Sequence, residues 1–297
     1  MQLALGPVLY YWSREAVLSF YEQMAAAAVD VIYLGEVVCS RRHELRLPDW
    51  LALAQDLRQA GKTVVLSTQV LVESGPDAST MRRIAGNGDF VVEANDMGAV
   101  QVLASSGQPF VAGPHLNVYN RLSLNWLAEQ GAQRWVAPLE MRHSDLALLQ
   151  AQRPADVQTE VFALGRMPLA FSARCFTARQ RNLRKDECGF SCIKHPDGLL
   201  LKTREGEDFL VLNGIQTQSA RLCNLIHELP ALRQMGVEVL RLSPQSSHMA
   251  EIIATWRDAL QGTITPAEAA RCLQPLLVAP SCNGYWHGTA GMKQVHA

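Results

Sequence analysis

Short runs of β-branched and apolar residues alternate with helix-like segments along most of the chain, and this alternation constrains the fold more than any other feature. Leu3 to Tyr10 precedes Ser13 to Ala28, Val29 to Leu34 precedes Pro48 to Ala60, and Thr63 to Val70 precedes Asp77 to Ala85. The rhythm continues with Asp89 to Glu93 before Asp96 to Ala104, Phe110 to Val118 before Arg121 to Gln130, and Arg134 to Leu139 before His143 to Ala151. A seventh strand fits Val157 to Leu164 and an eighth fits Val237 to Leu242, with an amphipathic helix following over Ser247 to Leu260. Strands apolar on both faces, in units of about 25 to 30 residues, predict an α/β fold of the (β/α)8 TIM-barrel type rather than an open doubly wound sheet. No Gly-x-Gly-x-x-Gly follows the first strand. One barrel domain spanning residues 1–297 accounts for the length.

The rhythm breaks between the seventh and eighth strands, over residues 165–235, a connection far longer than a βα loop needs. An insertion of that size usually carries function. It holds Cys175, Cys188 and Cys192, and then Gly198 to Leu212, whose alternation and charged Glu205-Gly206-Glu207-Asp208 turn predict a β-hairpin. Residues 265–297 read as a last helix, Pro266 to Leu277, followed by a glycine-containing mobile tail.

A formal charge of -1 and scattered arginines supply no field for a phosphate backbone, so no nucleic-acid partner is expected. The first residues carry no basic leader before an apolar run, and no apolar stretch is long enough for a transmembrane segment, which predicts a cytoplasmic protein. Seven cysteines in a reducing compartment stay as thiols unless a metal or catalysis claims them.

Cys175, Cys188 and Cys192 are separated by twelve and then three residues and lie among Arg174, Arg179, Arg181, Arg184, Lys185 and Lys194. Positive charge lowers thiol pKa and offsets the charge of a thiolate-bound metal. Cys39, just after the second strand, is the best fourth ligand, because a barrel opens its functional face at the strand C-termini, where the insertion also emerges. The spacing matches no ferredoxin pattern, so iron-sulfur and zinc remain equal readings of it; Cys188, Cys192 and His195, with His43 four residues after Cys39, would suit zinc. Cys223, in a run of helical spacing from Leu222 to Leu229, Cys272 in the last helix and Cys282 in the tail read as incidental thiols.

The segment Glu160 to Cys175, with Gly165-Arg166-Met167-Pro168-Leu169-Ala170 at its centre, resembles the signature region of the collagenase-like peptidase family, which also contains proteins of RNA hydroxylation. Together with Leu212-Asn213-Gly214-Ile215-Gln216-Thr217, it is more similar to the branch serving oxygen-independent ubiquinone synthesis than to the members classed as peptidases. The resemblance implies a 4Fe-4S cluster on Cys39, Cys175, Cys188 and Cys192. It further implies a heterodimer with a homologous cluster-carrying subunit, hydroxylation of ubiquinone precursors, and prephenate as oxygen donor. Where peptidase members carry His-Gly and another cysteine, this chain has Leu164-Gly165 and none just before Cys175; neither His-Glu-x-x-His nor Gly-x-Ser-x-Gly is present. Independent peptidase activity is not expected.

If the barrel forms, Glu36, Gln69, Glu93, Asn95, His115, Asn117, Glu140 and Arg142 end strands near one mouth. A dicarboxylate donor would need cations, and Arg142, Arg166 and Arg174 are the nearest by sequence. His115, Asn117, Glu93, Glu140, Arg142 and Arg166 are therefore the candidate substrate-binding residues, with Glu93 and Glu140 as acid/base groups or partners of arginines. No basic amphipathic surface helix is visible, so another protein would present the lipid-tailed precursors.

Overall fold

A computed structural model describes residues 1–296. Eight parallel strands close into a barrel: β1 (Gln2–Leu5), β2 (Val31–Leu34), β3 (Thr63–Ser67), β4 (Val91–Ala94), β5 (Phe110–Ala112), β6 (Ala132–Val136), β7 (Gln158–Phe171) and an eighth strand, Val239–Leu242. The eighth pairs with β1 on one side, Leu3 opposite Leu240, and with β7 on the other, Val161 opposite Leu240, which completes the ring. The (β/α)8 barrel expected from the alternation is therefore the fold, with strand ends trimmed. The apolar runs Leu3 to Tyr10 and Phe110 to Val118 predict long strands; each strand stops at the rim, and Gly6 to Trp12 and Gly113 to Asn120 run on as loops over the mouth.

Strand alternation sorts side chains into two shells. Ala4, Val31, Tyr33, Val65, Val111, Val136 and Val239 fill the barrel interior. Residues one step along, such as Leu3, Ile32, Leu34, Val64, Leu66 and Leu240, face outward onto Tyr21, Leu57, Leu103, Leu127, Trp256 and other helix residues. Each face of each strand thus buries apolar surface, which is why the strands read as continuous hydrophobic runs.

β7 is the exception. It runs fourteen residues, leaves the barrel at Gly165 and becomes the base of a meander on the C-terminal face. Gly165 has φ +134°, and a Cβ there would sit 2.4 Å from that of Ser243, so this exit requires glycine. The meander adds β8 (Leu199–Lys202), β9 (Asp208–Asn213) and β10 (Gln216–Asn224), all antiparallel, with β8 and β9 forming the expected hairpin, Leu199 opposite Leu212. The barrel then resumes with the short helix Leu229–Gln234 and the eighth strand, here β11. Cys223, expected in a helix, lies on β10. Leu222, Leu225, Ile226 and Leu229 have helical spacing, yet they straddle the end of a strand and a 3-10 turn.

The tail also departs from expectation. Residues 281–282 form β12, paired in parallel with β10 so that Cys282 lies beside Cys223, and Asn283 and Trp286 are buried. Trp286 Nε1 donates to Glu228 at 3.0 Å, and Asn283 Nδ2 donates to the Val295 carbonyl at 3.0 Å. Aromatic burial, absent from a composition count of glycines, fastens this segment. Among the described residues no helix is long and apolar enough to cross a membrane.

Candidate functional site

Two chemically distinct clusters occupy the barrel axis, and strands build the lower one. Glu160 on β7 accepts from Tyr33 Oη and from Arg241 Nε, each at 2.5 Å, and pairs with Arg134 at 3.4 Å. Arg241 lies over the Tyr33 ring at 4.1 Å and reaches Glu93 at 2.7 Å. Glu93 in turn accepts from Ser67 Oγ at 2.7 Å and Asn95 Nδ2 at 3.2 Å. Burial and the Glu160 carboxylate push the Tyr33 phenol far above its ordinary range, and the two carboxylates hold Arg241 charged. Two arginines against two glutamates make this column neutral, so buried charge is compensated within it. Glu93, expected as an acid/base group or an arginine partner, neutralises Arg241.

Adjoining this column is a small, largely apolar pocket of about 40 Å³, to which Glu93, Asn95, His115, Arg241 and Ser243 contribute polar groups among Leu9, Val37, Phe162 and Pro168. The His115 ring packs edge-on against Phe171 at 4.9 Å, and burial, with Arg241 nearby, lowers its pKa to about 3. It is a neutral imidazole, able to donate or accept one hydrogen bond but not to supply positive charge.

The remaining candidates disperse. Asn117 adopts a left-handed conformation after the 3-10 turn Pro114–Leu116 and is exposed outside that pocket. Glu140 accepts from Tyr119 at 3.0 Å on the surface, and the exposed Arg142 pairs with Asp145 at 2.7 Å. Arg166 is buried, but it donates to the Ser219 and Ala220 carbonyls, fixing the β7–β10 bulge.

Loops build the upper cluster, and its centre is Arg42. This buried guanidinium donates to the Leu9 carbonyl at 2.8 Å and to Asn213 Oδ1 at 2.7 Å, lies 3.5 Å from Glu36, and stacks over Tyr11. Glu36 accepts the Val38 and Cys39 amides at 2.9 and 3.0 Å, which folds the loop after β2 so that Cys39 faces inward. Cys39 and Cys175 share one apolar cluster with Leu9, Val37, Val38 and Ile215. Cys175 also caps the helix Phe176–Gln180, its Sγ accepting the Ala178 amide at 3.4 Å. Cys192 faces Arg42 and interacts with Cys175. Burial raises the Cys39 thiol to about 11 and raises Cys192, with Arg42 pulling both back toward the thiolate.

Gly214 makes this convergence possible. Its carbonyl accepts the Phe176 amide at 2.8 Å, its amide donates to Thr177 Oγ1 at 2.9 Å, its φ is +64°, and a Cβ would fall 2.9 Å from the Arg42 guanidinium. The Leu212–Thr217 segment is thus the turn that ties the meander to the loop carrying Cys39, and its Gln216 and Thr217 pair with Phe171 and Ala170 of β7. Arg41 to Asp186 at 2.9 Å, the Lys185–Glu73 pair, and Trp12 Nε1 to the Pro196 carbonyl at 2.7 Å fasten the Cys188 loop to three barrel loops.

Within the described residues, no three His, Cys, Asp or Glu side chains stand close enough to hold a metal ion as placed. The donor chemistry nevertheless fits a thiolate-ligated group: Cys39 and Cys192 lie beside one guanidinium, Cys175 packs against the Cys39 cluster, and the half-buried Cys188 lies on the same short loop as Cys192. His195, the nitrogen donor of the zinc reading, sits 3.4 Å from Arg181.

Sequence reasoning does not single out Arg42, Asn213, Tyr33, Glu160 or Arg241. For Glu160 and Arg241 a signal exists: each is a charge inside an otherwise apolar barrel strand, in Glu160-Val161-Phe162 and Leu240-Arg241-Leu242.

The model of peptidase family U32 matches residues 18–292. The chain belongs to that family. The tRNA hydroxylation protein P1 of Bacillus subtilis (strain 168) is 25% identical over 158 residues, 49% of this chain and 37% of that protein. The matched segment therefore spans little more than a third of that relative. Among solved structures, the U32 peptidase Mk0906 is 12% identical with a TM-score of 0.45, covering 82% of this chain and 93% of that one. A dihydropteroate synthase from Thermus thermophilus is 14% identical with a TM-score of 0.40, covering 86% and 93%.

Proposed function

We propose that this U32 barrel takes part in hydroxylation, as a UbiV-like subunit that holds a 4Fe-4S cluster through Cys39, Cys175, Cys188 and Cys192 and acts on ubiquinone precursors without molecular oxygen. The observation that supports the reading is that Cys39 and Cys192 lie beside the buried Arg42 at the barrel mouth, with Cys175 packed against the Cys39 cluster. Membership of U32 and the resemblance to a tRNA hydroxylation protein support hydroxylation as the reaction class. Such a cluster supplies single-electron exchange, with no open iron position when all four ligands are thiolates.

This chain's own residues have separable tasks in that reading. Arg42 balances thiolate charge and fixes the Cys39 loop to Asn213 and Leu9. Phe171 and Ile215 pack with Cys39 and shield that thiol from water. His115, with Glu93 and Asn95, can orient one water-sized polar group in the pocket beneath, which is too small for a whole donor such as prephenate, with His115 neutral. Arg142 and Glu140 lie on the outer surface, where they would meet a UbiU-like partner of a heterodimer rather than the pocket. A lipid-presenting protein would deliver the precursor in the cytoplasm.

The test is complementation under strict anoxia in a host deleted for the corresponding gene, with prenylated phenols and their hydroxylated products quantified by mass spectrometry. Wild type should restore the hydroxylated product and Cys39→Ser should not. Full product formation by a chain lacking all four cysteines would refute the reading.

A further inference from the structure

Residues 174–194, which carry Cys175, Cys188 and Cys192, hold Arg174, Arg179, Arg181, Arg184, Lys185 and Lys194 against Asp186 and Glu187, a net +4 in a chain whose formal total is -1. The helix Phe176–Gln180 packs on both of the short turns that follow it, Lys185–Glu187 and Ser191–Lys194, so these charges gather in one compact patch. Among the described residues, the ion pairs that use this segment are Lys185 with Glu73 and Arg41 with Asp186. Arg174, Arg179, Arg181, Arg184 and Lys194 are exposed and make none. In high-dielectric water an exposed guanidinium adds little to the charge balance of a thiol, which Arg42 supplies from within. The five outer cations are therefore surplus to the thiols.

Two apolar side chains interleave with these charges along the chain. Leu183 is 40% exposed and Phe190 37%. Phe190 holds φ +51°, uncommon for an aromatic residue, directly after Gly189 at +55°, and its ring leans on Tyr11 at 5.8 Å. This left-handed turn keeps Phe190 at the surface between Cys188 and Cys192. The same three thiols, Cys175, Cys188 and Cys192, are half-buried, whereas Cys39 is buried. Solvent thus comes nearest the thiols through the cationic face.

We infer that this patch is the docking surface for a small electron-carrier protein with an acidic face, which passes one electron through it to the thiol-bound group; the carrier is oxidised by one electron and the group reduced by one. The partner's redox character rests on the functional reading above, and the docking surface rests on charge and exposure. Electron-transfer encounters are weak, steered by charge and small, below about 1,200 Å² of buried area, which suits a few apolar side chains among like charges. A single nucleic-acid strand would instead want several stacking aromatics; of Phe176 and Phe190, Phe190 alone is exposed. A lipid surface would take a longer amphipathic helix, and the helical elements here span five, three and four residues.

The test uses the anaerobically purified full chain, with oxidised plant-type ferredoxin, a small acidic iron-sulfur carrier, as the probe. Wild type should bind it saturably, with a dissociation constant that rises at least about tenfold between about 20 and 200 mM salt. Arg179→Glu, Arg184→Glu and Lys194→Glu together should weaken binding at least about tenfold, and the neutralising Gln versions of the same three should fall between that variant and wild type. Arg82→Glu, Arg121→Glu and Arg271→Glu together, the same change in net charge on helices elsewhere, should bind as wild type does. In stopped flow, reduced ferredoxin should reduce the cluster of the Arg179, Arg184, Lys194 reversal at least about tenfold more slowly than that of wild type, while reduced methyl viologen, a small cation, should be no slower. Iron content on the same samples tests the functional reading separately, because the binding measurement needs no iron. Absence of saturable binding by wild type, unchanged affinity in the patch reversal, or tighter binding of an RNA hairpin or of phosphatidylglycerol vesicles that the reversal abolishes, would overturn the inference.

Discussion

The column inside the barrel and the thiol cluster at its mouth are both polar and both buried, but they are built in opposite ways. Six strands contribute Tyr33, Ser67, Glu93, Arg134, Glu160 and Arg241 to the column, at positions fixed by the register of the sheet. The thiols stand on loops, and their positions depend on Arg42, Glu36, Asn213 and Gly214 gathering three chain segments. A sheet can hold compensated charge without further help because its backbone is already ordered. A loop site requires its own anchors, so its failure should be local while failure of the column should be global.

That contrast breaks most visibly at Glu160. Glu160→Ala leaves Arg241 and Arg134 with one buried carboxylate between them, and should cost about 3–5 kcal/mol of global stability in urea unfolding. Arg42→Ala should instead cost about 2–3 kcal/mol, in proportion to lost hydrogen bonds from a charged donor, and abolish iron retention. Its signature should be faster amide exchange in the Cys188 loop with barrel strands still protected. If Arg42→Ala unfolds the barrel as Glu160→Ala does, the separation between the two regions is wrong.

Gly214→Ala should cost roughly 1–2 kcal/mol from its left-handed backbone alone, and more where the methyl presses on Arg42; exchange should again rise in the meander first. His115 provides a pH test. Its pKa is depressed to about 3 in the folded chain, so between the ordinary value and about 3 the unfolded chain binds the extra proton. Its contribution to stability is therefore complete above the ordinary histidine range and is lost as pH falls toward 3. Comparing urea midpoints of wild type and His115→Phe from pH 7 to 4.5 should show a steeper acid loss in wild type. The smallest effect is expected at Cys282→Ala, a buried thiol beside Cys223: about 1 kcal/mol or less of stability, with bound iron unchanged.

The two regions are also unequally legible in the sequence. The barrel is readable because each unit repeats the same apolar period, and the hairpin because Glu205-Gly206-Glu207-Asp208 marks its turn. The apolar pattern ends β7 too early because Arg166 and Pro168 interrupt it, although Arg166 points into the meander and Pro168 lies at a register shift. Arg42 carries no signal at all: a single arginine in a loop becomes a hub only when Leu9 and Asn213, 33 and 171 residues away, arrive beside it. Arg142 and Glu140 read as mouth residues because they follow β6, but the loop turns outward, and their side chains end in surface pairs. Sequence distance to a strand end does not fix side-chain direction in a loop.

The most direct test is the iron and acid-labile sulfide content per chain after anaerobic purification, measured for wild type and for the Cys175→Ala, Cys188→Ala double variant, with zinc assayed in the same samples. About four iron and four sulfide per wild-type chain, lost in the double variant, is the predicted result. A colourless wild-type chain, or one holding zinc with no sulfide, would contradict the cluster and the hydroxylation reading built on it.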